Sequence, residues 1–219
     1  MTDSQVLSVR NLDTRFQTQA GEIRAVDDVS FDLQKGEILG LVGESGSGKS
    51  VTGFSIMGLI DEPGKIHGGQ IRFKGEDLIN AGDKRYNRLR GREIAMIFQD
   101  PMMTLNPLLR IDTQMIEAIL AHEAVSRESA RQRARDALGM VGISSPDERL
   151  RAYPHQFSGG MRQRVVIAIS MLHAPDIIIA DEPTTALDVT IQAQILYEMQ
   201  KLRQKHSVSI IWITHDLSV

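Results

Sequence analysis

The sequence contains no cysteine and no apolar run long enough to span a membrane. Without cysteine, disulfides, thiolate metal sites and cysteine nucleophiles are excluded within these 219 residues, which is typical of a reducing compartment. The apolar stretches at residues 165–172 and 177–180 are far shorter than the about 18 residues that a spanning helix needs, so we predict that they belong to a core. Residues 1–5 lack the basic and apolar regions of a signal peptide.

The chain also lacks an excess of positive charge, internal repeats and low-complexity tracts. Its formal net charge of -3 gives no electrostatic reason to expect nucleic-acid binding. With 42% hydrophobic and 24% charged residues, the composition is ordinary for a soluble globular protein. The length suffices for one large α/β domain, with room for a smaller inserted subdomain.

The most informative feature that is present is a complete P-loop pattern at residues 43–50. An apolar run at residues 38–42 predicts a buried strand before it, and residues 50–60 predict a helix after it. Backbone N–H groups and the positive end of the helix dipole would then face a phosphate. Lys49 would reach the β- and γ-phosphates, and the Ser50 hydroxyl would be a ligand of Mg²⁺. The predicted nucleotide-binding residues here are Gly43, Glu44, Ser45, Gly46, Ser47, Gly48, Lys49, Ser50 and Val51.

A second apolar strand, predicted at residues 177–180, ends in the carboxylates of Asp181 and Glu182. Beside a P-loop, Asp181 would meet Mg²⁺ through water and Glu182 would orient or deprotonate the attacking water. The alternative is an exposed acidic turn after a core strand.

Ser158-Gly159-Gly160 precedes a predicted helix and offers a second anion site. The alternative is an ordinary helix N-cap with adjacent glycines. Two phosphate sites in one chain cannot easily serve a single ATP, and a head-to-tail dimer would resolve this. Each ATP would then lie between the P-loop of one subunit and the Ser-Gly-Gly helix of the other.

Three further side chains are weaker candidates when each is taken alone. Gln99 ends a predicted core strand and could contact the metal or the water, although a plain polar strand end is common. His215 also lies at a strand end, where the sheet would present groups to the γ-phosphate, although a single histidine is more often structural. Phe16 could stack on adenine, or it could be a core residue of the first strand region.

The order of elements predicts strands in the first third, with Pro63-Gly64 and Gly68-Gly69 interrupting the chain before a short strand at residues 70–74. Helical spacing then predicts helices at residues 111–122 and 126–141, which we interpret as an inserted helical subdomain. A strand–helix alternation after residue 154 predicts a parallel sheet with helices on both faces. The chain stops soon after the last predicted strand, which we interpret as part of a longer protein. We assign residues 1–219 to a single domain, with residues 1–100 and 172–219 as core and residues 101–171 as helical subdomain.

These motifs, in this order, resemble those of the ABC-type ATPases over essentially the whole chain. The resemblance implies an α/β P-loop NTPase fold with a RecA-like parallel core, an antiparallel β subdomain and a helical subdomain. It also implies catalytic roles for Lys49, Gln99, Glu182 and His215, and a metal site at Ser50, Gln99 and Asp181. The remaining correspondences are a Walker A loop at residues 43–50, a signature at Ser158-Gly159-Gly160, a Walker B strand at residues 177–181 and a D-loop at residues 186–188, with Asp188 at the nucleotide.

The detailed sequences of the segments 43–50, 98–107, 154–164 and 181–190 resemble those of the dipeptide, oligopeptide and nickel importer branch. Phe157 and Met161 depart from the commoner signature but are usual in that branch. The resemblance implies ATP and Mg²⁺ as cofactors and a second ATPase subunit in a homo- or heterodimer, with a heterodimer favoured because the branch commonly has two related ATPase subunits. It also implies two membrane-spanning permease subunits and, indirectly, an extracytoplasmic binding protein. The chain would work peripherally on the cytoplasmic side of the bacterial inner membrane.

Two alternatives stay open at this point. The same machine could carry nickel or glutathione, because the permease and the binding protein choose the cargo. The second alternative is a non-transport ABC ATPase that acts in DNA repair or translation. Such proteins usually carry two ATPase units, coiled coils or zinc insertions, none of which this sequence contains. A chain lacking its C-terminal strands could also bind ATP but turn it over poorly.

Overall fold

The computed structural model describes residues 4–183 and 189–215. The strands are β1 (Gln5–Thr18), β2 (Gly21–Gln34), β3 (Ile38–Val42), β4 (Gly64–Phe73), β5 (Glu76–Asp77), β6 (Ile94–Ile97), β7 (Ile177–Asp181) and β8 (Ser209–Thr214). The helices are α1 (Lys49–Met57), α2 (Gly82–Leu89), α3 (Ile111–Leu120), α4 (Arg127–Met140), α5 (Pro146–Leu150), α6 (Gly159–Ser170) and α7 (Val189–His206). Short 3₁₀ turns occur at Pro101–Met103 and Pro154–Gln156. No helix in this part of the chain combines the length and the apolarity that crossing a bilayer demands.

Two sheets of different kinds make up the frame. The first is antiparallel with the strand order β2-β1-β4-β5, and the second is parallel with the order β3-β8-β7-β6. In the parallel sheet, the carboxyl ends of β3, β7 and β6 lead into the P-loop, into Glu182 and towards Gln99. Parallel strands end at one edge, so the three predicted motifs meet there.

Helix α1 lies between the two sheets, and one apolar cluster joins them. That cluster includes Leu7 and Phe73 of the antiparallel sheet, Ile56 of α1, and Ile179 and Ile211 of the parallel sheet. The P-loop helix therefore has a packed face on each side, which fixes its direction relative to β3.

The opposite face of the parallel sheet packs against helices α3, α4, α5 and α6, which we call the helical layer, and against α7. Leu138 of α4 and Val165 of α6 are fully buried in this second cluster, which also contains the buried Ile178 and Trp212 of the sheet. The helical layer occupies the segment between β6 and β7, where the sequence predicts an inserted helical subdomain.

Two local predictions are wrong. Strand β3 is the outermost strand of the parallel sheet in the described part of the chain, and it is not buried on both faces, since Ile38 is 40% and Val42 is 47% exposed. The glycine pair at 68–69 does not interrupt the chain, since β4 runs from Gly64 through both glycines to Phe73. The ladder with β1 instead shifts register there, and Gly69 takes a φ of 96° beside the Asn11 carbonyl, 2.5 Å from where a Cβ would lie.

Candidate functional site

The P-loop wraps a cavity of about 600 Å³ at the carboxyl edge of the parallel sheet. Gly48 has a φ of 87°, and a Cβ at this position would lie 2.0 Å from the carbonyl oxygen of Ala25. Only glycine fits that close approach between the loop and β2. The lining residues are Ala25, Glu44, Ser45, Gly46, Gly48, Lys49, Ser50, Val51, Gln99, Glu182 and His215.

The ammonium group of Lys49 lies within the loop that precedes it. Its Nζ donates to the carbonyl oxygens of Gly43 at 2.8 Å and Glu44 at 2.7 Å. These carbonyls hold the positive charge beside the N-terminal end of α1, where the helix dipole is also positive. Both features favour an anion in the cavity.

Ser50 and Asp181, two of the predicted metal ligands, are in direct contact. The Ser50 hydroxyl donates to Asp181 Oδ1 at 2.9 Å. Asp181 is only 5% exposed, and this burial raises the pKa of its carboxyl, against the opposing effect of the Ser50 hydrogen bond. A hydroxyl and a buried carboxylate are hard oxygen donors of the kind that Mg²⁺ prefers, so the donor set fits this ion.

Glu182 is held from two sides at the end of β7. Gln99 Nε2 donates to Glu182 Oε2 at 2.8 Å, and His215 Nδ1 lies 2.8 Å from Glu182 Oε1. The backbone of Glu182 has a φ of 45°, which is unusual for a residue with a side chain, and its N–H donates to the Ile213 carbonyl at 3.0 Å. Two candidates from distant parts of the sequence, Gln99 and His215, thus converge on the carboxylate of a third, Glu182.

The Ser158-Gly159-Gly160 segment lies at the start of α6, where the Ser158 hydroxyl caps the helix by accepting from the Met161 N–H at 3.3 Å. None of these three residues lines the P-loop cavity. The structure therefore does not bring the two predicted phosphate sites together within one chain.

Phe16 is also absent from the cavity lining. It pairs with Ile23 across the antiparallel sheet, and its ring occupies the space beside Gly64, where a Cβ would lie 2.4 Å from Phe16 Cε1. Asp188 and the rest of the predicted D-loop lie outside the described residues.

Ala25 is a cavity residue that the sequence analysis did not single out. Its contribution is a backbone carbonyl beside Gly48, and no side-chain pattern indicates which residue of β2 approaches the loop. In the described ranges, no group of three or more His, Cys, Asp or Glu side chains could hold a metal.

Comparison with known proteins gives concordant matches. The family described as ABC transporter matches residues 26–185. The dipeptide transport ATP-binding protein DppD of Bacillus subtilis (strain 168) is 55% identical over 216 residues, which are 98% of this chain and 64% of that protein. The oligopeptide transport ATP-binding protein OppD of the same organism is 52% identical over 217 residues, 99% of this chain and 61% of that protein. The chain therefore spans less than two thirds of these relatives.

Among solved structures, a similar one is a dimeric post-hydrolysis state of the ATP-binding cassette MJ0796 bound to ADP and Pi. Its TM-score is 0.83 at 29% sequence identity, covering 97% of this chain and 89% of that one.

Proposed function

The chain belongs to the ABC transporter family, and on this premise we propose that it is the ATP-binding and ATP-hydrolysing part of a bacterial importer for di- and oligopeptides. The observation that carries the proposal is the convergence of Gln99 and His215 on Glu182 beside the P-loop cavity. The names of the DppD and OppD relatives support peptides as the cargo, and they do not favour nickel.

The P-loop backbone and Lys49 would bind the phosphates of ATP. Ser50, Asp181 and the amide oxygen of Gln99 would hold Mg²⁺, which when bound supplies positive charge against the phosphate oxygens. Burial raises the pKa of Asp181, so a positive charge nearby would stabilise the ionised form of its carboxyl.

Glu182 would act as the general base. The water oxygen attacks the γ-phosphorus, the bond to the bridging oxygen breaks with its electron pair leaving on ADP, and the water proton passes to the Glu182 carboxylate. Gln99 and His215 fix the direction of that carboxylate, so that few rotamers need to be frozen when the water arrives.

Because Ser158 lies outside the cavity of its own chain, we propose a head-to-tail dimer in which α6 of one subunit faces the P-loop of its partner, with Asp188 near the nucleotide. The dimeric state of the MJ0796 cassette supports this arrangement. Phe16 as the adenine-stacking residue stays a prediction. Two permease subunits, an extracytoplasmic binding protein and a peripheral position on the cytoplasmic face of the membrane complete the proposal.

The test is Glu182→Gln in the purified protein. We expect ATP to bind with unchanged affinity while hydrolysis falls by about 10²- to 10⁴-fold, since the amide cannot accept the proton. Glu117→Gln, at an exposed position on α3, is the matched control and should keep the wild-type rate. Normal turnover by the Glu182 variant would refute the assigned base.

A further inference from the structure

Arg90, which follows α2, holds the end of the P-loop helix that is remote from the phosphates. Its Nε donates to the Met57 carbonyl at 2.9 Å, and its Nη2 donates to the Gly58 carbonyl. The last turn of α1 contains no basic residue of its own. Arg90 therefore supplies the positive charge that the C-terminal end of a helix favours, together with partners for two terminal carbonyls.

Arg90 is itself fixed by its surroundings. The guanidinium carbon lies 5.1 Å from the centre of the Tyr86 ring, and the Arg90 N–H donates to the Tyr86 carbonyl at 2.9 Å. The same ring fills the space beside Gly58, where a Cβ would lie 2.5 Å from it. Through its backbone, Arg90 also bridges to Ile94 at the start of β6, the strand that leads to Gln99.

His122, which follows the end of α3, connects the helical layer to the region around Arg90. His122 and Arg90 line the same cavity of about 300 Å³ between the helical layer and the core, and a Cβ on Gly91, the residue after Arg90, would lie 3.7 Å from His122 Nε2. Behind it, His173 meets the His122 ring edge-on, with centres 5.0 Å apart. His173 is anchored in turn at both nitrogens, 2.8 Å from Glu123 Oε1 and 3.1 Å from the Ala118 carbonyl.

We propose that Arg90 is a positioning residue for nucleotide binding, which links the helical layer, through His122, to the C-terminal end of the P-loop helix. It does not line the nucleotide cavity and acts through α1. A displacement of the end of α3 moves the backbone of Arg90, and its two hydrogen bonds carry that displacement to α1. The proposal rests on the proposed function only in requiring that the P-loop binds ATP.

The experiment is a double-mutant cycle on the whole 219-residue chain, with the dissociation constant for ATP measured by titration calorimetry well below the unfolding temperature. Arg90→Lys keeps the positive charge and removes the planar guanidinium that donates to two carbonyls at once. Arg88→Lys, at an exposed position of α2, is the control. His122→Phe keeps a ring and removes its polar atoms, and both changes are then combined. A purely structural role would lower the unfolding temperature without moving the affinity of the folded protein.

We expect Arg90→Lys to weaken ATP binding about tenfold and Arg88→Lys to leave it unchanged. His122→Phe should weaken binding about threefold in the wild-type background and not at all in the Arg90→Lys background. Wild-type affinity in Arg90→Lys, or strictly additive effects, would overturn the proposal. If Arg90→Lys does not fold, wild-type affinity in His122→Phe alone overturns it. Failure of the unmodified chain to bind ATP would instead contradict the proposed function.

Discussion

Gly48 of the P-loop cannot be replaced by a larger residue without strain. Gly48 combines a φ of 87° with a Cβ position 2.0 Å from the Ala25 carbonyl, so both its backbone and its surroundings require glycine. Gly46 shares the positive φ, but its surroundings are open. The conformation of the loop at Gly48 is therefore tied to the position of β2.

We predict that Gly48→Ala weakens ATP binding by about ten- to hundredfold, because the added methyl group must displace backbone and strain φ. The measurement is an ATP titration of the folded variant. Gly139→Ala is the control, since nothing lies within 4 Å of its Cβ position on α4. The explanation fails if both variants bind ATP like the wild type.

Glu182 shows how a residue-level irregularity coincides with a predicted function. Its φ of 45° is a conformation that costs about 1–3 kcal/mol for a non-glycine residue. The hydrogen bonds from Gln99 and from its own N–H to Ile213 support that conformation. Strain that neighbouring contacts maintain is typical of pre-organised sites.

At the scale of elements, the helical layer is tied together by an ionic contact at the end of α3. Arg133 Nη1 of α4 donates to Glu123 Oε2 at 2.5 Å. His173 Nδ1 lies 2.8 Å from Oε1, the other oxygen of the same carboxylate. The Arg133 hydrogen bond, followed by that of His173, lowers the pKa of Glu123 from 4.5 to about 2. A carboxyl whose pKa is lower in the folded state adds stability that is present above its unfolded pKa.

Glu123→Gln should therefore lower the free energy of unfolding at pH 7 by about 1 kcal/mol, at the low end for a charged hydrogen bond because the side chain is partly exposed. The difference from the wild type should shrink as pH falls below about 4.5 and vanish only below about 2. Urea unfolding across this range measures it, with Glu117→Gln as control. A difference independent of pH would contradict the assignment.

Elements with a strong hydrophobic period could be predicted from the sequence, and polar or short ones could not. Apolar spacing predicted α3 and α4 within a few residues of their observed bounds. The polar helix α2 and the five-residue α5 have too little apolar pattern to be recognised. Gly69 was misread because a glycine in a strand can mark a bulge as well as a turn.

Only part of the candidate site could likewise be predicted from the sequence. Its residue types and chain order could be read from the P-loop and the carboxylates at the end of β7. The contacts of Gln99 and His215 with the same carboxylate depend on the order of strands in the parallel sheet, which no local pattern encodes. The approach of Ala25 to Gly48 likewise depends on tertiary packing.

At the scale of the whole molecule, the separation of Ser158 from the P-loop cavity makes assembly part of the proposal. We predict that Glu182→Gln sediments as a dimer when ATP and Mg²⁺ are present and as a monomer without them. Adding Lys49→Ala, which removes the phosphate-binding ammonium group, should abolish the dimer. A monomer with ATP bound would argue against the head-to-tail arrangement.

The most direct test of peptide import measures uptake of labelled dipeptide, with nickel in parallel, in cells whose full-length subunit carries Glu182→Gln. The account predicts that dipeptide uptake is lost while nickel uptake and the Glu117→Gln control are unaffected. Normal dipeptide uptake in the Glu182→Gln cells, with or without a loss of nickel uptake, would contradict it.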